Sequence, residues 1–122
     1  MKKQERDFIM YLEDIFECTK RIRTWTSKMT YQEFSNDRKT QDAVIMNIGI
    51  IGEATKNLPT KIKQAYKEMD WKKLVDMRNI LIHEYFGANL KRIWRIIQEE
   101  IPGIQEKISY ILVEELKNEK LL

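Results

Sequence analysis

Apolar residues recur at helical spacing along almost the whole chain. From about Glu5 to Lys28, the residues Ile9, Leu12, Ile15, Phe16, Ile22 and Trp25 make one stripe, with Cys18 at its margin, and the opposite face is charged. That pattern predicts an amphipathic helix. Thr30-Tyr31-Gln32-Glu33 has the form of a capping box and predicts a short turn of helix. Asn36 and Asp37 supply the next start signals. A second long helix follows to about Leu58, its stripe being Val44, Ile48, Ile51, Thr55 and Leu58, widened by Ala43, Asn47 and Ala54. Pro59 lies just past its end. Ile62, Ala65, Tyr66 and Met69 suggest a shorter helix. Asp70 is a good N-cap for the next one, which begins at Trp71 and carries Trp71, Leu74, Val75, Leu81 and Ile82 on its apolar face. Gly87 and Ala88 break it, and Asn89 caps a restart. From there Leu90, Ile93, Trp94, Ile97, Ile101, Ile104, Ile108, Ile111 and Leu112 run in phase through Pro102, so a kink or brief break is expected at Pro102 between two nearly aligned pieces. The expected architecture is all-α: an up-and-down bundle of four main helices with an additional short one, forming a single domain over residues 1–122.

Composition supports helices over sheet. The chain has 122 residues with only 4 Gly and 2 Pro, so turn material is scarce, and its length suffices for a core without staples. The 22 basic residues exceed the 19 acidic ones by a net charge of +3, which permits a nucleic-acid partner without demanding one. A single cysteine, Cys18, excludes an internal disulfide and a cysteine-rich zinc site, and fits a reducing cytosol. No apolar run approaches membrane-spanning length, and the charged start Met1 to Asp7 lacks an apolar signal core. A cytoplasmic protein without a membrane partner is expected.

The chemistry concentrates in Arg78-Asn79-Ile80-Leu81-Ile82-His83-Glu84-Tyr85, which holds the only histidine. One histidine cannot build a metal site, but it can move a proton. An imidazole with a pKa near ~6.5 can take the proton of a ribose 2′-hydroxyl at neutral pH. The oxyanion then attacks the adjacent phosphate, and a planar guanidinium matches the charge that builds on the phosphorane oxygens. Asn79 can hold the imidazole or the phosphate. No metal or cofactor is called for. Asn79 and His83, four apart, share a helical face, whereas Arg78 and His83 do not. The proton donor for the leaving 5′-oxygen is missing within one chain. A homodimer would supply it, because a twofold axis sets two copies of His83 near each other.

Taken singly, each residue has an ordinary reading. His83 near a helix end can be a cap or a satisfied surface residue. Arg78 can be the ion-pair partner of Glu53 or Asp76. Asn79 can face solvent, and Tyr85 can be half-buried packing. The tryptophans Trp25, Trp71 and Trp94 read as core, Cys18 as inert packing, and the basic clusters as solvated helix faces.

Together, the residues resemble a known family. Arg78-x4-His83 resembles the HEPN superfamily of helical ribonucleases and nucleotide-binding domains. The longer form Arg-Asn-x3-His-x-Tyr resembles its HepT branch, the toxin of the HepT–MntA toxin–antitoxin system. The likeness extends beyond the motif. Arg6-Asp7 with Tyr11-Leu12-Glu13-Asp14-Ile15 resembles that branch's first helix. Asp37, Thr40, Ala43-Val44, Ile48-Gly49 and Ile51-Gly52-Glu53-Ala54 resemble its second. Trp71, Met77-Arg78-Asn79, His83 to Gly87, Trp94 and Ile101-Pro102 complete a resemblance running from about Arg6 to Ile108. It implies a homodimer whose RNA-cleaving groups, here Arg78 and His83 with Asn79 beside them, gather at the dimer interface. It also implies a nucleotidyltransferase antitoxin, MntA, that attaches AMP units to the motif tyrosine, here Tyr85. Bulk and negative charge on Tyr85 would then block an RNA phosphate near Arg78. From the residues themselves, Glu53 is added as a supporting group: a carboxylate in a small, apolar stretch calls for a cation, and Arg78 is the candidate. Two other readings stay open. One is a non-catalytic module that binds nucleotide or protein as partner of a nucleotidyltransferase. The other is a plain helical scaffold in which the motif is structural.

Overall fold

The computed structural model describes residues 2–84 and 89–121, with side chains for 8–79 and 89–118. Its helices are α1 (Lys2–Thr26), α2 (Tyr31–Ser35), α3 (Arg38–Asn57), α4 (Thr60–Ala65), α5 (Trp71–Glu84), α6 (Leu90–Arg95) and α7 (Ile101–Leu121), and a π-helical turn, Ile96–Glu100, joins α6 to α7. Among the described residues there is no strand, and the protein is the all-α bundle that the apolar periodicity predicts.

The helix starts follow from local chemistry. Thr30 and Glu33 form the reciprocal capping box: the Glu33 N–H donates to Thr30 Oγ1 at 3.1 Å and the Thr30 N–H to Glu33 Oε1 at 2.9 Å. Asp37 caps α3 through the Thr40 N–H at 3.0 Å. The Thr40 backbone and then its hydroxyl hold the Asp37 carboxyl below the usual carboxylate range. Asp70 and Asn89 cap α5 and α6 in the same way, accepting from the Lys73 and Arg92 N–H groups.

α1 packs against both α3 and α7, and α3 also packs against α5. The Arg23 side chain donates to that of Gln105, which sets the end of α1 beside the start of α7, so the two run antiparallel. Leu12, Ile15, Ile22, Phe34, Val44, Ile48, Ile51, Ile101 and Ile108 are sealed completely from solvent. Burying each such side chain stabilises the fold by about 1.5–3 kcal/mol before entropy is counted. Phe34 brings α2 against Trp94, with ring centroids 5.2 Å apart.

Two expectations are corrected. Trp25 does not join the core stripe of α1; it is 41% exposed. The most inward line is Phe8, Leu12, Ile15, Thr19, Ile22 and Thr26, spaced alternately four and three apart as a helix seam requires, and Ile9 and Cys18 are buried beside it. The two threonines fit there because their hydroxyls donate to the Phe16 and Ile22 carbonyls of their own helix. The break foreseen at Pro102 falls before it. The chain stays helical, but the Ile101 N–H reaches five residues back to the Ile96 carbonyl, and Pro102 lies in the first turn of α7. A proline ring collides with the carbonyl four residues earlier, here Gln98, and widening the turn that contains Gln98 relieves the collision.

Candidate functional site

The site is built on α5, and the start of α5 is fixed firmly. The Trp71 indole N–H is shared between the Lys63 and Tyr66 carbonyls at 3.2 and 3.1 Å, tying the end of α4 to α5. The Tyr66 hydroxyl in turn donates to Glu115 on α7, and burial together with that carboxylate pushes the phenol's pKa upward. With this start pinned, helical register carries Leu74 and Met77 into the core.

Arg78 then emerges at the edge of that core, on the side facing α3, with 31% of its side chain exposed. Its Nε lies 3.5 Å from Glu53 Oε2. Of the two carboxylates that could have paired with it, Glu53 is therefore the one; Asp76 lies instead 3.8 Å from Lys72 Nζ. Glu53 is 53% exposed, and a pair this open to water contributes at most about 1 kcal/mol. Its value is directional: it engages Nε and leaves the Nη1–Nη2 edge of the guanidinium with no other partner among the described residues.

α5 approaches α3 tightly at the residue before Glu53. Gly52 is buried, and a Cβ placed on it would lie 2.5 Å from the Arg78 Cβ. The motif reading assigns no role to this glycine. The available signal is a glycine in the middle of a helical apolar stripe, but Gly49 gives the same signal three residues earlier.

Asn79 stands on open surface next to Arg78. The backbone of His83 belongs to the last turn of α5, while its side chain lies outside the described residues, as do Tyr85 and the pair Gly87 and Ala88, where the sequence predicts a break. The structure thus brings together Arg78 and Glu53 and leaves Asn79 beside them.

A cleft of about 470 Å³ lies between the first turns of α5 and the α6–π segment, lined by Lys72, Lys73, Arg95, Asp70, Asp76 and Glu100 among others. Its charges are largely matched internally, since Lys73 pairs with Glu100 at 2.6 Å and Lys72 with Asp76. Arg78 does not line it. Cys18 is buried in the core, and burial raises its thiol pKa to about 11, so it is not a nucleophile at neutral pH. Among the described residues no helix is long and apolar enough to cross a membrane.

An all-α bundle presenting an Arg-Asn-x3-His segment on one helix defines a HEPN-type domain. The family described as ribonuclease HepT-like matches residues 15–111, and the chain belongs to that family. It is 40% identical over 109 residues to a Thermococcus cleftensis protein named "Probable ribonuclease HepT", the match covering 89% of this chain and 96% of that protein. A candidate RNase of Methanocaldococcus jannaschii is 41% identical over 108 residues, covering 88% of this chain and 89% of the relative. A longer protein of the same organism, whose name joins gamma-glutamylcyclotransferase to a candidate RNase, is 40% identical over 113 residues, which is 93% of this chain and 51% of that protein. No solved structure matches the chain.

Proposed function

We propose that this chain is a metal-independent endoribonuclease toxin acting as a homodimer. The observation that carries the reading is Arg78, half-buried at the α3–α5 seam with its Nε turned to Glu53, within the segment matched by the ribonuclease family. In the proposed reaction His83 removes the proton from a ribose 2′-hydroxyl. The 2′-oxygen bonds to the neighbouring phosphorus, and the bond from phosphorus to the 5′-oxygen breaks. A protonated His83 of a second copy donates to the leaving 5′-oxygen. The products are a 2′,3′-cyclic phosphate and a 5′-hydroxyl. Arg78 pairs with the phosphorane oxygens, where a preorganised cation is worth most, while Asn79 and Glu53 support the two catalytic side chains. A nucleotidyltransferase antitoxin of MntA type silences the enzyme by attaching AMP units to Tyr85. Each unit adds bulk and a negative charge seven residues along the chain from Arg78, competing with the RNA phosphate.

The test is cleavage of tRNA and mRNA by purified protein in the presence of a chelator, with the cleaved ends mapped. Wild type is expected to cut and leave a cyclic phosphate, and His83→Ala to lose about 10²–10⁴-fold in rate, the range for a general acid–base group. Equal cleavage by His83→Ala would overturn the assignment.

A further inference from the structure

A role at the α3–α5 seam lies outside the Arg–His motif. A Cβ on Gly52 would stand 2.5 Å from the Arg78 Cβ, 3.1 Å from its Cδ and 3.3 Å from its Cγ. The Arg78 Cβ is bonded to the backbone and cannot rotate away, so α5 itself would have to move. The same atom added to Gly49, one turn earlier on α3, meets nothing within 4 Å. Glycine is a poor helix residue, yet of these two glycines only Gly52 is explained by contact, and its contact is with the arginine of the motif. The next residue, Glu53, meets the far part of the same side chain at Nε.

We propose that Gly52 is a positioning residue for Arg78, and that Gly52 and Glu53 together form its seat. The missing side chain at Gly52 lets α5 close on α3, so that the Arg78 stem lies along α3 from Cβ to Cδ. Glu53 then takes the Nε side of the guanidinium. The seat thereby selects the Nη1–Nη2 edge as the one presented to an RNA phosphate, in the geometry that accepts two phosphate oxygens side by side. A seat of this kind fixes the cation before substrate arrives, which is how an electrostatic group contributes most to a transition state. This inference rests on the ribonuclease reading above and adds to it the residue that places the phosphate-binding group.

The experiment compares wild type, Gly52→Ala, Gly49→Ala, Glu53→Gln and Glu53→Ala in two readouts. One is kcat and KM on an RNA oligonucleotide. The other is the Arg78 Nε–H resonance, identified by its disappearance in Arg78→Lys. Gly52→Ala is expected to shift that resonance and to lower kcat and kcat/KM together by about tenfold or more, the cost of misplacing a catalytic group by a fraction of its reach. Gly49→Ala is expected to leave both readouts at wild-type values. Glu53→Gln, which keeps the size and one acceptor oxygen, should retain more activity than Glu53→Ala. A folded Gly52→Ala with wild-type kcat overturns the proposal. Should Gly52→Ala fail to fold, the Glu53 pair decides, and an unmoved resonance with unchanged kcat in Glu53→Ala overturns it equally. Cleavage by Arg78→Ala at the wild-type rate would instead sink the catalytic role of Arg78, while the resonance would still report whether the seat exists.

Discussion

The seam that α1 makes with α3 and α7 and the seam that α3 makes with α5 at Gly52 close their helices by opposite means. The first is filled. Leu12, Ile15, Ile22, Ile48, Ile51 and Ile108 are all sealed from solvent there or beside it, and polar intruders such as Thr19 satisfy themselves within their own helix. The second is emptied. At Gly52 the close approach depends on an absent side chain, and what fills the space is the stem of a charged residue. A filled seam tolerates exchange among apolar side chains of similar volume, because the driving force is area and packing. An emptied seam tolerates almost nothing, because the smallest addition already collides. Stability is spread over the first seam, and the placement of one guanidinium is concentrated in the second.

Mutations can break that division or sharpen it. Leu12→Ala, deep in the filled seam, is expected to cost about 2–5 kcal/mol in a denaturant melt while leaving kcat per folded molecule unchanged. A fall in kcat comparable to that of Gly52→Ala would show that the two seams are not separable. Thr30→Ala removes the capping box of α2, and the midpoint of unfolding should drop by an amount equivalent to about 0.5–2 kcal/mol, again without a change in the cleavage pattern. The smallest effect concerns Cys18. Burial raises its pKa to about 11, so below that pH the thiol stays protonated in the folded chain. An alkylating reagent at pH 7–8 should label unfolded protein and spare the native form, with labelling rising only as the pH approaches the raised value. Rapid labelling of native protein would mean that the α1 seam opens far more readily than its packing implies.

Much of this was legible in the sequence, for identifiable reasons. The caps at Thr30, Asp37, Asp70 and Asn89 are local, so residue type and spacing suffice to place the helix starts. The pairing of Glu53 with Arg78 was legible from charge, since a carboxylate in Ile-Gly-Glu-Ala requires a cation. Trp25 shows that hydrophobicity alone does not index burial, since it stands 41% exposed. At the end of α1 the packing selects position 26, and a threonine that bonds to its own backbone suits that position better than an indole one residue away. Gly52 was out of reach for a different reason. Gly49 and Gly52 look alike in one dimension, and only the approach of α5 separates the glycine that touches Arg78 from the one that faces open space.

The π-helical turn has a consequence for how the chain length is allowed to vary. Ile93, Ile97 and Ile101 are all buried but spaced four and four, whereas a regular stripe alternates four with three, as Ile101, Ile104, Ile108 and Ile111 do. The span from Ile93 to Ile101 therefore holds one residue more than an α-helix would place on that face, and the wider turn stores it. The number of residues between α6 and α7 is thus a constrained quantity in its own right. Deleting the exposed Gln98 would turn the whole of α7 about its axis relative to α6 by roughly the 100° of one helical residue, unless the turn reverted to α-helical form and absorbed the loss. That turn holds one residue in reserve, so the chain can give one up there by reverting to α-helical form while α7 keeps the face it offers to α1.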